Sequence, residues 1–217
     1  MVEFQLGSRE RPLRQVLCLG SHCDDIEIGC GGTILRLLKE DPRREIHWRV
    51  FSSTPARKKE AMHAASLFLK SAKSKKVAVR NYRDSFFPSF QSRIKQEFEQ
   101  LKRQCNPDLI LTHYRHDLHQ DHRVICELTW NTFRNHLILE YEIPKYDGDL
   151  GAPNFFVPLD PDICERKVRY ICDSFLSQRP KQWFTGDTFL ALSRIRGVES
   201  NAPSGHAEAF HCRKLVL

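Results

Sequence analysis

Short apolar runs alternate with longer amphipathic stretches through the first two thirds of the chain. Leu13 to Gly20 reads as a first strand, and its run Val16-Leu17-Cys18-Leu19 has no polar interruption, as expected for a strand covered on both faces. Gly29-Cys30-Gly31-Gly32-Thr33 opens a helix that continues through Lys39 and is stopped by Asp41-Pro42. Ile46 to Phe51 alternates like a strand, and Pro55 to Lys70 has helical spacing of Ala61, Ala64, Ala65, Leu67 and Phe68. A short strand at Lys76 to Val79, a helix at Phe90 to Cys105, a strand at Asp108 to Thr112 and a helix at His122 to Phe133 follow. This alternation predicts an α/β fold: a Rossmann-like, doubly wound, mostly parallel sheet with helices on both faces. The later part is less regular. Leu137 to Tyr141 and Phe155 to Leu159 read as strands on either side of a Gly/Pro/Asp-rich loop at Pro144 to Asn154, and Asp162 to Gln178 as a helix. Thr188 to Ile195 fits strand or helix, Gly205 to Phe210 closes the organised part, and residues 1–12 form a polar lead-in. With no internal repeat and 217 residues, a single domain over 1–217 is expected.

Two clusters of metal-binding side chains follow the first and fourth of these strands. The first is Ser21-His22-Cys23-Asp24-Asp25-Ile26-Glu27. The second, His113 to Arg123, holds four of the chain's ten histidines, with Asp117 and Asp121 among them. Imidazole and carboxylate together suit zinc, and the C-terminal ends of parallel strands are where an open α/β sheet builds its site. A catalytic zinc takes three protein ligands and leaves a position for water. His22, Asp25 and His122 make such a set. Asp24 is then the free carboxylate placed to act as general base, and His119, three residues before His122, the group placed to stabilise an oxyanion or protonate a leaving amine. Asp121 would orient an imidazole from behind. Gly29, Gly31 and Gly32 lack the G-x-G-x-x-G spacing, and an acidic turn repels pyrophosphate, which argues against dinucleotide binding.

Composition narrows the picture further. No apolar stretch reaches the roughly 18 residues of a membrane span. Met1-Val2-Glu3-Phe4-Gln5-Leu6 lacks a basic region followed by an apolar core, which predicts no signal peptide and a cytoplasmic location. The eight cysteines contain no C-x-x-C pair and read as buried reduced thiols. The net charge of +7 is scattered, with small clusters at Arg57-Lys58-Lys59 and from Lys70 to Lys76. A nucleic-acid partner is not expected from that distribution, whereas an anionic small-molecule substrate suits it.

The two clusters resemble the signatures of the PIG-L/LmbE family of zinc-dependent N-acetylglucosaminyl deacetylases. Ser21-His22-Cys23-Asp24-Asp25-Ile26 stands where the family has A-H-P-D-D-E, and Asp117, His119, Asp121 and His122 are in register with its H-x-D-x-H-x-D-H. Arg57-Lys58-Lys59-Glu60-Ala61 is similar to its R-x-x-E-A helix start, Lys167 through Ser177-Gln178 to its K-x-x-A…S-Q helix, and His206-Ala207-Glu208-Ala209-Phe210 to its Y-A-E-A-F segment. The resemblance implies one zinc per chain on His22, Asp25 and His122, with iron or cobalt able to occupy the same donors. It implies Asp24 as base, His119 as electrostatic or acid partner, and Arg57 and Asp84 as substrate contacts. Glu208 either shapes the site or is structural. The chain departs from the family at Cys23, Ile26 and His206. His206 stands for the family's tyrosine, in the position of a further substrate contact.

The resulting expectation is a zinc hydrolase that removes acetate from an N-acetylglucosamine-type sugar or glycoconjugate. Two alternatives share the scaffold: a metal hydrolase of another amide or an ester, and a non-catalytic metal-binding protein. The sugar's aglycone is open, and a homo-oligomer is compatible with the sequence.

Overall fold

Val16, Leu17, Cys18 and Leu19 are all fully buried, because the strand that carries them, β1 (Gln15–Gly20), runs through the middle of the sheet. In the computed structural model, which describes residues 6–7 and 12–216, β1 pairs in parallel with β2 (Glu45–Ser52) on one side and β4 (Leu109–His113) on the other. β3 (Ser74–Tyr82) lies outside β2, and β5 (Leu137–Tyr141) outside β4, both parallel. β7 (Ala207–Cys212) then runs antiparallel to β5, and β6 (Phe155–Pro158) antiparallel to β7. The order is β3-β2-β1-β4-β5-β7-β6. The chain winds outward from β1 to β3, then returns to the other side of β1 with β4. That reversal opens a crevice at the C-terminal ends of β1 and β4, between the two His/Asp clusters.

Alternate residues of β1 feed two cores. Val16 and Cys18 pack in one with α1 (Asp25–Glu40), α2 (Pro55–Phe68), α5 (Pro161–Ser174) and α6 (Gly186–Glu199). Leu17 and Leu19 pack in the other with α3 (Phe87–Gln104) and α4 (Gln120–Thr132). Both faces of the sheet are therefore covered, which is why the central strands read as unbroken apolar runs.

Several elements differ from the sequence reading for identifiable reasons. Helix α1 begins at Asp25, four residues before the glycines, because the Asp25 carboxylate accepts from the His22 N–H at 2.6 Å and turns the chain into the helix. β3 is nine residues long, but as an edge strand it is largely exposed, and its lysines and arginine mask the pattern. Helix α3 starts at Phe87, with proline in its first turn. Helix α5 ends at Ser174, where Phe175 leaves helical dihedrals to become fully buried; a 3-10 turn follows at Leu176–Gln178. The ambiguous segment at 188–195 lies within helix α6, and the chain's last organised segment is the inserted strand β7. The predicted lead-in at 1–12 falls almost entirely outside the described residues. No helix among the described residues is long and apolar enough to cross a membrane.

Candidate metal centre

The loop after β1 and the loop after β4 are drawn together by backbone and side-chain bonds between them. Ser21 N–H donates to His113 Nε2 at 2.9 Å, and the Ser21 hydroxyl donates to the Asp121 carbonyl at 3.1 Å. This brings His22 and His122, a hundred residues apart, to 3.2 Å between Nδ1 and Nε2. The Asp25 carboxylate completes the convergence, with Oδ2 at 3.4 Å from His22 Nδ1 and Oδ1 at 3.6 Å from His122 Nε2.

The remaining nitrogens identify which lone pairs face inward. His122 Nδ1 lies 2.8 Å from Asp117 Oδ2, so its proton is held there and Nε2 presents a lone pair. Burial, together with neighbouring His113, pushes the His122 ring down to about 3, keeping it neutral. His22 Nε2 is 3.1 Å from Asp84 Oδ1 and 3.3 Å from Asp121 Oδ2, which leaves Nδ1 facing His122 and Asp25. With His22 neutral, two imidazole lone pairs and a carboxylate thus converge, and only a cation or a proton between them relieves the set. Such a set repels itself unless a cation sits within it, so the residues present fit a zinc ion. Burial pushes the Asp25 carboxyl up, but His122, His113 and His22 outweigh it and hold it well below the carboxylate range. Burial pulls His22 down, yet Asp25, Asp121 and Asp84 outweigh that and raise it well above its ordinary value. Both shifts express the same convergence of imidazole and carboxylate.

Asp24 occupies the N-cap position of α1 but makes no cap hydrogen bond. Its Oδ1 accepts from Arg57 Nη2 at 2.8 Å, and the carboxylate is almost fully buried beside the ligand set. Arg57 is in turn 3.9 Å from Glu60, which accepts from the Ser177 N–H at 2.8 Å and the Ser177 hydroxyl at 2.6 Å. The R-x-x-E and S-Q segments therefore form one strut ending on Asp24.

His119 is the N-cap of α4, its Nδ1 accepting from the Asp121 N–H at 3.2 Å. The neutral ring then carries its proton on Nε2 and is a donor rather than a ligand. Burial and the neighbouring His22 lower its pKa, consistent with a neutral ring. It lies edge-on to His22 and stacked on His122. Asp121 is fully buried and accepts from the Ser85 N–H at 2.7 Å and the Phe87 N–H at 3.0 Å while facing His22. Ser85 has φ 65°, a left-handed conformation that costs a non-glycine residue about 1 kcal/mol or more. Asp121 and the Gln120 side chain hold it there, so Asp84 is carried to His22 on a strained turn.

Other sequence-predicted residues make no direct polar contact with the side chains of His22, Asp25 and His122. His206 precedes β7, two strands from β4. Its carbonyl accepts from Leu159 N–H, and no hydrogen bond or ion pair among the described residues links its ring to the ligand set. Glu208 is buried against α1. Cys23 points away from His22, Asp25 and His122, with its thiol on the Ser52 carbonyl at 3.3 Å. Burial, reinforced by Asp24, Glu27 and Asp25, pushes that thiol up to about 12. In native protein at pH 8, Cys23 should therefore escape iodoacetamide while denatured chain labels fully. Peptide mass mapping of native and denatured samples checks this, and rapid native labelling would show an open thiol.

Four residues without a sequence-assigned role pack around the His22, Asp25 and His122 side chains. Asp117 orients His122 and is backed by Lys145 Nζ at 3.1 Å. His113, fully buried, places Nε2 at 3.2 Å from Asp25 Oδ2. The Tyr141 hydroxyl lies 3.3 Å from that same His113 nitrogen and donates to the Leu19 carbonyl at 2.6 Å. Asp117, five residues before His122 in a His/Asp-rich run, carried a usable signal. Lys145 and Tyr141 carried none.

The GlcNAc-PI de-N-acetylase (PIG-L) family model matches residues 17–133, more than half of the chain and both clusters. Among curated proteins none matches. Solved structures of the same fold include the N,N'-diacetylchitobiose deacetylase from Pyrococcus horikoshii. It is 20% identical, with 92% of this chain and 84% of that chain covered at a TM-score of 0.65. The zinc-inhibited form of teicoplanin deacetylase Orf2 is 12% identical, covering 91% of this chain and 97% of that chain, with a TM-score of 0.67. GalB, the 4-carboxy-2-hydroxymuconate hydratase from Pseudomonas putida KT2440, is 15% identical, covering 94% and 98%, with a TM-score of 0.69. At these identities the likeness is one of fold, and the reaction must be argued from the site. By its matched sequence and the fold that carries it, the chain belongs to the PIG-L family of de-N-acetylases.

Proposed function

We propose that this chain is a zinc-dependent N-deacetylase that hydrolyses the acetamide of an N-acetylglucosamine-type sugar or glycoconjugate, releasing acetate and a free amino sugar. The observation that carries the reading is the convergence of His22 Nδ1, His122 Nε2 and the Asp25 carboxylate, with Asp24 and His119 beside it. Zinc held by those three residues would supply a Lewis acid and acidify water. Asp24, its Oδ1 fixed by Arg57, takes the proton of the attacking water through its other oxygen. His119, with Nδ1 occupied by the Asp121 N–H, offers Nε2–H to the oxyanion of the tetrahedral intermediate, and the proton that Asp24 took from the water passes on to the departing amine. Asp117 and Asp121 hold the His122 and His22 rings in these tautomers. Asp84, exposed at the mouth of the site, and Arg57 are the candidate contacts for sugar hydroxyls. His206 enters only as a candidate substrate contact. The eight free cysteines fit a reducing, cytoplasmic setting.

A zinc centre on this fold does not by itself define acyl hydrolysis, so the test follows the product. Metal-analysed protein is incubated with a panel of N-acetylglucosaminyl compounds, neutral and anionic, with and without chelator. Chelator-sensitive acetate release from at least one compound is expected. Stoichiometric zinc with no acetate from any of them, but turnover of another amide or an ester, would replace the deacetylase reading.

A further inference from the structure

Helix α1 is broken. At Cys30 the backbone leaves helical dihedrals, with φ −146° and ψ 15°, so α1 is two helical pieces set end to end. An unbroken helix would direct the Gly32 N–H to the Ile28 carbonyl and the Thr33 N–H to the Gly29 carbonyl. Here those donors turn outward to Glu208: Gly32 N–H to Oε1 at 2.8 Å, and Thr33 N–H and the Thr33 hydroxyl to Oε2 at 2.6 Å each. The Ile28 carbonyl accepts instead from Lys167 Nζ at 2.7 Å. Lys167 Nζ and Glu208 Oε1 are themselves 2.7 Å apart, and both side chains are more than nine-tenths buried. A residue from α5 and a residue from β7 thus cap both ends of the break, the carboxylate at the new N-terminus and the ammonium at the new C-terminus, each matching the helix-end charge it meets.

The break has a consequence for the metal centre. Gly29, in the first piece, lies against the Tyr141 ring so closely that any Cβ would overlap it. The Tyr141 hydroxyl is 3.3 Å from His113 Nε2, and that nitrogen is 3.2 Å from Oδ2 of Asp25, which begins the same first piece. The direction of the short piece Asp25–Gly29 therefore decides where the Asp25 carboxylate points. We infer that Lys167 and Glu208 are positioning residues: an ion pair spliced into α1 that sets the tilt of its first piece and so holds Asp25 in the metal centre. An unbroken helix would satisfy these backbone groups without either charge. A buried pair is a poor source of stability compared with apolar packing, which favours a geometric role for it. The inference rests on the reading of Asp25 as a metal ligand.

The test compares wild type with Glu208→Gln, Lys167→Met and Asp25→Asn. For each, the zinc dissociation constant is measured by competition with a chromogenic chelator, below its own melting temperature, alongside kcat and KM. Glu208→Gln puts an amide against N–H donors and should weaken zinc about 10–100-fold, the range for groups that orient ligands. It should lower kcat while leaving KM within about two-fold, since no sugar-binding group has moved. Lys167→Met should lose affinity in the same direction but less, because Glu208 still caps Gly32 and Thr33. A folded Glu208→Gln protein with wild-type zinc affinity and kcat, whatever its melting temperature, would reduce the pair to a structural staple and overturn the inference. Should Glu208→Gln fail to fold, Lys167→Met decides alone: weakened zinc supports the role and unchanged zinc refutes it. Asp25→Asn separates the two levels. Wild-type zinc affinity in that variant removes Asp25 as a ligand and the positioning role with it. Lost zinc there, with intact binding in Glu208→Gln, removes only the positioning role.

Discussion

Asp24→Asn should retain its zinc and lose turnover by about 10³-fold, the middle of the range for removing a general base. The substitution is nearly isosteric. The asparagine oxygen can still accept from Arg57 Nη2, so the strut from Ser177 through Glu60 and Arg57 keeps its end point. The ligand set is untouched, because Asp24 faces Arg57 while Asp25 faces the imidazoles. What disappears is a carboxylate able to accept a proton from water. Acetate release per zinc-loaded protein, with KM measured in parallel, checks it. The fall should appear in kcat with little change in KM, as for an interaction made only on the way to the transition state. A wild-type rate would remove Asp24 as the base and leave the centre to act by another route.

That experiment was readable from the sequence because its residues are local. His22, Asp24 and Asp25 lie within four positions, and His119 and His122 within four more, each cluster directly after an apolar run too continuous to be anything but a buried strand. The parallel sheet follows from the same runs, since residues such as Leu17 and Cys18 are buried on opposite faces. What stayed hidden depends on partners far away in the chain. The break in α1 needs Lys167 and Glu208, more than 130 residues on, and the glycines around it read only as a helix start, since nothing local signals the Glu208 carboxylate on the Gly32 and Thr33 N–H groups. Edge strand β3 hid behind its own lysines. Lys145 and Tyr141 belong to the centre only because β5 lies beside β4. His206 is a different case. Its place in a family-like segment suggested the site, while in the fold its backbone bonds to Leu159 and no polar contact ties its ring to the ligands.

Removing zinc should abolish turnover and lower stability together, and the size of the second effect follows from the zinc affinity. His22 Nδ1, His122 Nε2 and Asp25 face one another at 3.2 to 3.6 Å without a donor between them. In the apoprotein the only relief is a proton, and the carboxylates around His22 hold its pKa well above the ordinary value for that reason. The sign is then fixed. A raised His22 stabilises the apoprotein below the ordinary histidine pKa, and that contribution is lost as pH rises through the raised folded value. Zinc competes with this proton, so its affinity should strengthen as pH rises across the same interval. Zinc at a hundred times its dissociation constant should add about 2.7 kcal/mol of stability. For a chain of this size that is a rise in melting temperature of about 5–10 °C. Thermal melts of chelated and reloaded protein at several pH values measure it, with acetate release on the same samples. The gap between the two forms should widen toward alkaline pH, where the apoprotein loses its proton and the zinc form does not need it. His122→Ala, which deletes one of the converging lone pairs, should lose most of the zinc-dependent gain and its activity. A melting curve indifferent to zinc in the wild type would mean that the convergence of His22, Asp25 and His122 is held by something other than a metal.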